Sequence, residues 1–530
     1  MSPSKRISPT MKITFIFSGI LIVVLAFYFI LNAIVNKKII AAIKQLPENV
    51  SLTYASLSTS ILNSSIEIKE PVVIYHSLKN EKHQHQLSFK NISITGIHFL
   101  KFMTSKKLII RSIDLDQGKI MLDQYLLDKQ EEFKGPDAPF ESLEIGELKL
   151  SETNASIHNN DMENMSLQGN LTIESIKIDS PNKSFNKNNF HFEAVRCVAS
   201  AIKYAIPDTY ESIHIKGLEL DSRKSMLHID TCKTIPALNK IKMGEKMGHQ
   251  VDYIEGLSSG IDVENLDVMQ LADKIFIADK INVRQNNFYA FRDRRLPLQT
   301  DEKLLPVDFF KTIPFKVRVK DISVGTTHFE YEEFPKKGNE TGILKVLRMR
   351  ISIAPFISHP VSGDPAFMNM KVEGSLMGSG TVTASMKFPL RKDSIYEVKG
   401  AFNELDLTTL NASAENLGRL HIESGMLNNL SFEFNMDKKK STGKIVGEYH
   451  NLVIEKLREK SDEKKVDKFK SFFLKHLIIP KNKDKTLAES KRTGKVDYER
   501  DPSRYFSYYL LHSLLMGVKS SFSLGFLLPG

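Results

Sequence analysis

The chain has 530 residues, 41% hydrophobic and 26% charged, a balance that suits folded rather than disordered structure. Lysine and arginine outnumber aspartate and glutamate by 73 to 63, a net charge of +10. No recognition helix, zinc-finger spacing or basic-aromatic RNA-binding motif accompanies that excess, so nucleic acid is not an expected partner.

At the N-terminus, residues 1–12 read as a cytoplasmic tail and 13–35 as a transmembrane helix. The run ITFIFSGILIVVLAFYFILNAIV carries no charge, and Ile13, Phe15, Leu21, Val24, Leu25, Phe29 and Leu31 make it strongly apolar. At about 1.5 Å per residue it is long enough for a hydrocarbon core of roughly 30 Å. Lys5, Arg6 and Lys12 precede it and Lys37, Lys38 and Lys44 follow, so flanking charge says little about orientation. The run exceeds the roughly 7–15 residues of a cleaved signal, and Asn32-Ala33-Ile34 is a poor cleavage site. An uncleaved anchor with the long C-terminal part exported is expected.

Residues 37–45 can continue as a short helix that Pro47 ends. Strand alternation then dominates to about residue 455. SSIEIKE places Ile66 and Ile68 on one face, and QLSFKNISI does the same through Leu87, Phe89, Ile92 and Ile94. One spacing returns at irregular intervals, with apolar residues at i, i+2, i+5 and i+7. Its copies are Leu143/Ile145/Leu148/Leu150, Leu171/Ile173/Ile176/Ile178, Ile213/Ile215/Leu218/Leu220 and Val317/Val319/Ile322/Val324. Two period-2 runs offset by one residue imply a bulge or corner within each strand. Turns are expected at Gln117-Gly118 and near Gly325, and short helices at 194–206 and 265–275. The predicted fold is mainly β: an elongated, curved, mostly antiparallel sheet with one apolar face. That face needs a helix, a second sheet or a ligand to cover it. Ile213, Ile215, Leu218, Leu220, Val317, Val319, Ile322 and Val324 are the candidate lining of an apolar groove.

The two cysteines, Cys197 and Cys232, form no CxxC, which leaves structural zinc and thioredoxin-like chemistry without support. They read as buried thiols, with a disulfide as the alternative in an oxidising compartment. No constellation points to catalysis, so no catalytic residue, metal or cofactor is expected. Gly256-Leu257-Ser258-Ser259-Gly260 matches GxSxG, but a nucleophile elbow needs a strand before it and a helix after it, and the string reads as a polar turn. His83-Gln84-His85 reads as a solvated loop, Asp301-Glu302 and Glu330 to Glu333 as solvent-facing carboxylates, and Gly374, Gly378 and Gly380 as a hairpin or bulge.

Residues 455–504 read as a charged helix (455–476) followed by a basic loop, and 505–530 as an apolar C-terminal helix marked by Tyr505, Tyr509, Leu511 and Leu515. Lys519 near its middle disfavours a second membrane crossing, leaving an interfacial helix or one that caps the sheet.

Residues 371–454 carry a more specific pattern. KVEGSLMGSGTVTASMKFPL is followed by YEVKGAFNELDLTTLN, a step carried by Tyr396, Gly400, Leu405, Asp406, Leu407 and Leu410, and then by a Ser424-Gly425 step into two more strands. This module resembles the AsmA-like family of diderm bacteria, the TamB- and YhdP-related proteins. The resemblance implies an inner-membrane anchor, a periplasmic β-rich region (36–370) ahead of the C-terminal module (371–454), and an apolar groove. It further implies a non-enzymatic role in binding or conducting lipid between membranes, with phospholipid as cargo and envelope proteins as further partners. A structural or assembly scaffold that binds proteins and no lipid is the alternative.

Overall fold

The computed structural model describes residue 46 and residues 48–521, apart from 61–63, 78, 81, 130–139, 161, 180–189, 392–394, 459–465, 469, 470 and 472–490. The predicted anchor, with Ile13, Phe15, Leu21, Val24, Leu25, Phe29 and Leu31, lies outside the described residues, as does the 37–45 helix. Among the described residues no helix is long and apolar enough to cross a membrane. The protein is mainly β, and its strands form a large mixed sheet that does not close. Two compact units divide the chain. One runs to Cys232 and includes Asp262–Phe276; the other comprises Lys233–Ile261 and Ile277 onward.

The first unit holds β1 (Val50–Thr53), β2 (Ser56–Ser60), β3 (Ser65–Lys69), β4 (Val72–His76), β5 (Gln84–Ser88), β6 (Asn91–Thr95), β7 (Lys107–Asp116), β8 (Lys119–Asp123), β9 (Ser142–Asn159), β10 (Met162–Asp179), β11 (Phe190–His191), β12 (Ala194–Ala205) and β13 (Glu211–Asp221). The first eight are successive halves of four long strands, each creased at two residues. The halves keep one register: β7 and β8 both run parallel to β9, with Lys107 opposite Ser142 and Lys119 opposite Asn154 at the same offset. The order across the unit is therefore β1/β2, β3/β4, β5/β6, β7/β8, β9, β10, β12, β13, antiparallel except at β7/β8 against β9. Helix α1 (Phe99–Ser105) packs on β7, and α2 (Gln124–Lys129) packs on β8 and β9. In β6 and β7, Ile94, Ile113 and Leu115 are wholly buried.

β14 (Met226–Pro236), β15 (Asp252–Glu264) and β16 (Ile275–Asp293) have residues in both units. The second unit continues with β17 (Lys316–Phe334), β18 (Gly342–Ala354), β19 (Phe356–Ile357), β20 (Phe367–Leu376), β21 (Gly380–Pro389), β22 (Tyr396–Asp406), β23 (Leu420–Met436), β24 (Lys440–Lys456) and β25 (Lys491–Glu499). These pair antiparallel in chain order, with the two-residue β19 alone on β17. Its helices are α3 (Lys240–Met247), α4 (Pro306–Phe310), α5 (Asn411–Gly418) and α6 (Phe506–Ser521). The main core lies between the sheet and α6, where Phe388, Tyr396, Phe434, Met436 and Val496 meet Tyr509. Tyr509, Ser513 and Gly517, one turn apart, are the buried face of α6. A Cβ on Gly494 would stand 1.9 Å from the Gly517 carbonyl oxygen, so only glycine there lets helix and sheet approach so closely.

Several expected elements differ. Gln117-Gly118 is a crease in a strand that keeps its direction, and Gly325 lies within the unbroken β17; neither reverses the chain. Residues 194–205 are strand, because pairing with β10 and β13 outweighs the helix preference of their alanines. Residues 268–273 form one 3₁₀ segment. The boundary drawn at residue 371 falls inside β20. Glu455 and Lys456 complete β24, while most of the predicted 455–476 helix lies outside the described residues. The apolar C-terminal segment is helical from Phe506 to Ser521, and residues beyond lie outside the described ones.

Candidate functional site

The recurrent spacing has a structural cause. Leu143, Ile145, Leu148 and Leu150 of β9 stand opposite Ile178, Ile176, Ile173 and Leu171 of β10, and β7 adds Leu108, Ile110, Ile113 and Leu115 in the same rows. Between the two halves of each stripe Gly146 meets Ser175, which has a left-handed φ of 55°. Such a residue interrupts the pleat by one position, so Ile173 and Ile176 keep a common face. A second line of left-handed residues crosses the sheet at Glu70, Gln117, Glu152 and Gly217.

The apolar rows continue past β10. Leu171 pairs with Cys197 and Cys197 with Leu220; Leu167 pairs with Ile202 and Ile202 with Ile215. Within this face a cleft of about 70 Å³ lies among Ile120, Leu122, Ala155, Ile157 and Leu167, with Cys197 at its margin. Burial pushes the Cys197 thiol up to about 11. Burial also raises Cys232, and both cysteines are free thiols, half-buried. The predicted lining residues Ile213, Ile215, Leu218 and Leu220 are all half-buried, unlike the closed rows of β9 and β10.

In the second unit Val319 is closed off, with Phe356 opposite it, while Val317, Ile322 and Val324 are half-buried. Ile322 and Val324 face Ile353 and Ile351, which face Met370 and Val372, so one apolar row runs from β17 toward the α6-covered core. Of the predicted C-terminal positions, Tyr509 is fully buried, whereas Tyr505, Leu511 and Leu515 are exposed.

The weighed chemical motifs also find their places. Gly256 to Gly260 lies inside β15, so the GxSxG string is neither the expected turn nor an elbow. His85 is not in a solvated loop: it is buried on β5, stacks on Tyr75, and its Nδ1 accepts the Asp123 N–H at 3.0 Å. Desolvation drives its pKa down to about 4. Among the described residues no group of three His, Cys, Asp or Glu side chains is placed to hold a metal ion. Glu332 and Glu333 are not simply solvent-facing. Lys240 donates to Glu332 at 2.5 Å and to the Tyr289 hydroxyl at 2.8 Å, Thr341 donates to Glu332 at 2.7 Å, and Arg294 pairs with Glu333 at 3.1 Å. Burial pushes Glu332 up, but its donors outweigh that and hold it below the usual carboxylate range. Burial and Glu332 raise the Tyr289 hydroxyl, which leaves it a donor rather than a nucleophile. Sequence reading missed this cluster because Lys240 and Glu332 are 92 positions apart.

The chain matches no protein-family model, and no curated protein matches it in sequence.

Proposed function

We propose that this is a membrane-anchored protein of the AsmA-like kind, non-enzymatic, which binds or conducts lipid along the apolar face of its sheet. On this reading it sits in the inner membrane through residues 13–35 with its bulk in the periplasm, phospholipid is the cargo, and envelope proteins are further partners. The observation that carries the reading is the half-buried stripe Ile213, Ile215, Leu218 and Leu220, continuous by cross-strand pairing with the closed core of β9 and β10. Apolar area left partly in water costs roughly 25 cal/mol per Å², and an acyl chain laid along the rows would remove that cost. The charged residues alternate onto the opposite side, Lys216 and Lys320 among them, and both are exposed.

Photo-crosslinking side chains placed singly at Ile215 and Val324 of the full chain, purified with its native lipids, should capture acyl chains. The same groups at Lys216 and Lys320 should not. Equal capture at both pairs of positions, or none at either, would remove the reading. The complete closure of Ile94, Ile113 and Leu115 supports the second reading, a scaffold that binds proteins and no lipid. That reading predicts protein adducts and no lipid adducts at Ile215.

A further inference from the structure

We propose that one end of the second unit's sheet, where β17, β20, β22 and β24 begin, is a docking tip for an anionic lipid bilayer. Four large apolar side chains project there: Leu304 is 50% exposed, Phe309 57%, Val361 64% and Ile395 46%. They lie on the segments that lead into β17, β20 and β22. Their exposure is not a sign of loose attachment. Leu305 and Val307 beside them are buried, the Val307 N–H donates to the Tyr396 hydroxyl, and the Phe310 ring lies 5.1 Å from Phe356 and 6.2 Å from Phe388. The Val361 loop is tied down by its N–H to Asp364 at 2.7 Å, and Asp364 is in turn held by Arg318. Single exposed apolar residues need no explanation, but four at one end of a sheet, three of them on firmly tied segments, do.

The same end carries the charge that selects the occupant. The hairpin from β23 to β24 presents Lys438, Lys439 and Lys440, all exposed. The turn's acid, Asp437, is used within it, accepting the N–H of Lys439 at 2.6 Å and of Lys440 at 2.9 Å, and across the pair Glu499 of β25 stands opposite Lys440. Exposed apolar side chains beside a lysine run match the two layers of an anionic bilayer surface, acyl boundary and phosphate. A flat protein surface would satisfy the lysines but leave the projecting side chains without a partner. The proposal does not depend on the apolar face carrying lipid.

The chain contains no tryptophan, so Phe309→Trp supplies a single reporter, with Tyr210→Trp in the first unit as its control. The full chain is held in an amphipathic polymer and mixed with vesicles of phosphatidylglycerol and phosphatidylcholine bearing brominated acyl chains. The indole at position 309 should be quenched at least about twofold and shifted to the blue, with the indole at position 210 unchanged. Replacing Lys438, Lys439 and Lys440 together by Gln should weaken partitioning by on the order of tenfold to a hundredfold, as should vesicles lacking phosphatidylglycerol. Because Phe309→Trp touches only an exposed side chain, a melting curve matching the parent confirms that the fold is intact. An unquenched reporter at position 309 under saturating lipid, or equal quenching of both reporters, overturns the proposal. So does a blue shift that grows with protein concentration in the absence of vesicles, which would assign the tip to a second copy of the chain.

Discussion

Within the first unit, β9 and β13 carry the same i, i+2, i+5, i+7 stripe and meet opposite fates. Leu143, Ile145, Leu148 and Leu150 are at most 3% exposed, whereas Ile213, Ile215, Leu218 and Leu220 are half-buried. The two stripes share one sheet face, linked by pairing through β10 and β12. What differs is the helices at hand. α1 packs on β7 where that strand begins opposite Ser142, and α2 packs on β8 and β9 at the Asp123–His158 end, whereas among the described residues no helix makes an extended contact with β12 or β13. The spacing therefore reports how the pleat is interrupted, and the neighbouring elements decide whether the side chains see water. The second unit repeats the lesson: α6 lies over β24 and β25, while Ile322 and Val324 of β17 remain half-buried.

The sharpest way to test that difference is truncation on each side of it. Ile113→Ala, at a fully closed site, should cost about 3–4 kcal/mol, since the lost transfer energy is joined by a cavity term. Leu218→Ala should cost about 1 kcal/mol or less, because its side chain is already partly hydrated. Chemical denaturation of the two variants reads both values. Equal losses would mean that the β13 face is closed in solution.

The closed region should also respond to acid. His85 is held neutral by burial, with a native pKa of about 4 against an ordinary value of 6.5. Below pH 6.5 the unfolded chain takes up the proton and the native one does not, so stability is complete above that value. It declines as pH falls from 6.5 toward 4, by up to about 3 kcal/mol. Melting temperatures across that window should fall in the parent and flatten in His85→Phe. An unchanged slope in the variant would assign the acid sensitivity to other groups.

The cysteines report the margin between the regions. With its thiol pushed up to about 11, Cys197 should be alkylated at pH 8 roughly a hundredfold more slowly than an unperturbed thiol. Burial raises the Cys232 thiol as well, so it too should react more slowly than an unperturbed thiol. Mass spectrometry of the modified peptides gives both rates, and a Cys197 that reacts as fast as an unperturbed thiol would contradict its burial.

Strand character and the shared apolar face were legible because period-2 alternation survives in nearly every stripe. The break within each strand was legible too, since an offset of one residue between Ile173 and Ile176 requires one; of the bulge and the corner that were expected, it is the corner, because the pairing with β9 keeps its register across it. Gln117-Gly118 and Gly325 were misread as turns because a glycine marks an irregular strand position without saying whether the chain then reverses; at the first the left-handed residue is Gln117, and at the second β17 runs on while its register with β18 shifts between Val324 and Thr327. The 194–205 strand was misread because its Cys197, Ala199, Ile202 and Tyr204, the same spacing again, are diluted by alanine. A capping role for the apolar C-terminal helix was legible from its Tyr- and Leu-rich run, and Tyr509 with Leu510, Leu514 and Val518 does pack on the core. The close approach of α6 to β25 through Gly517 and Gly494 was not, since glycines carry no hydrophobic signal. The Lys240–Glu332–Tyr289 cluster was equally hidden, being assembled from three distant elements.

The smallest effect bears on the crease itself. Ser175 holds φ at 55°, where a side chain crowds the following carbonyl, and its partner across the strand pair is Gly146. Ser175→Gly relieves the crowding but frees the unfolded chain, so the net gain should be only about 0.5–1 kcal/mol. Gly146→Ala is the opposing test, because its Cβ would lie 2.7 Å from the Arg111 carbonyl oxygen, backbone that cannot step aside. That variant should lose more than Ser175→Gly gains, and the loss should fall on the β7–β9–β10 rows, where hydrogen exchange would quicken, while β13 amides keep their rates. If the crease were incidental rather than what keeps Ile173 and Ile176 on one face, both variants would melt with the parent and leave exchange in those rows unaltered.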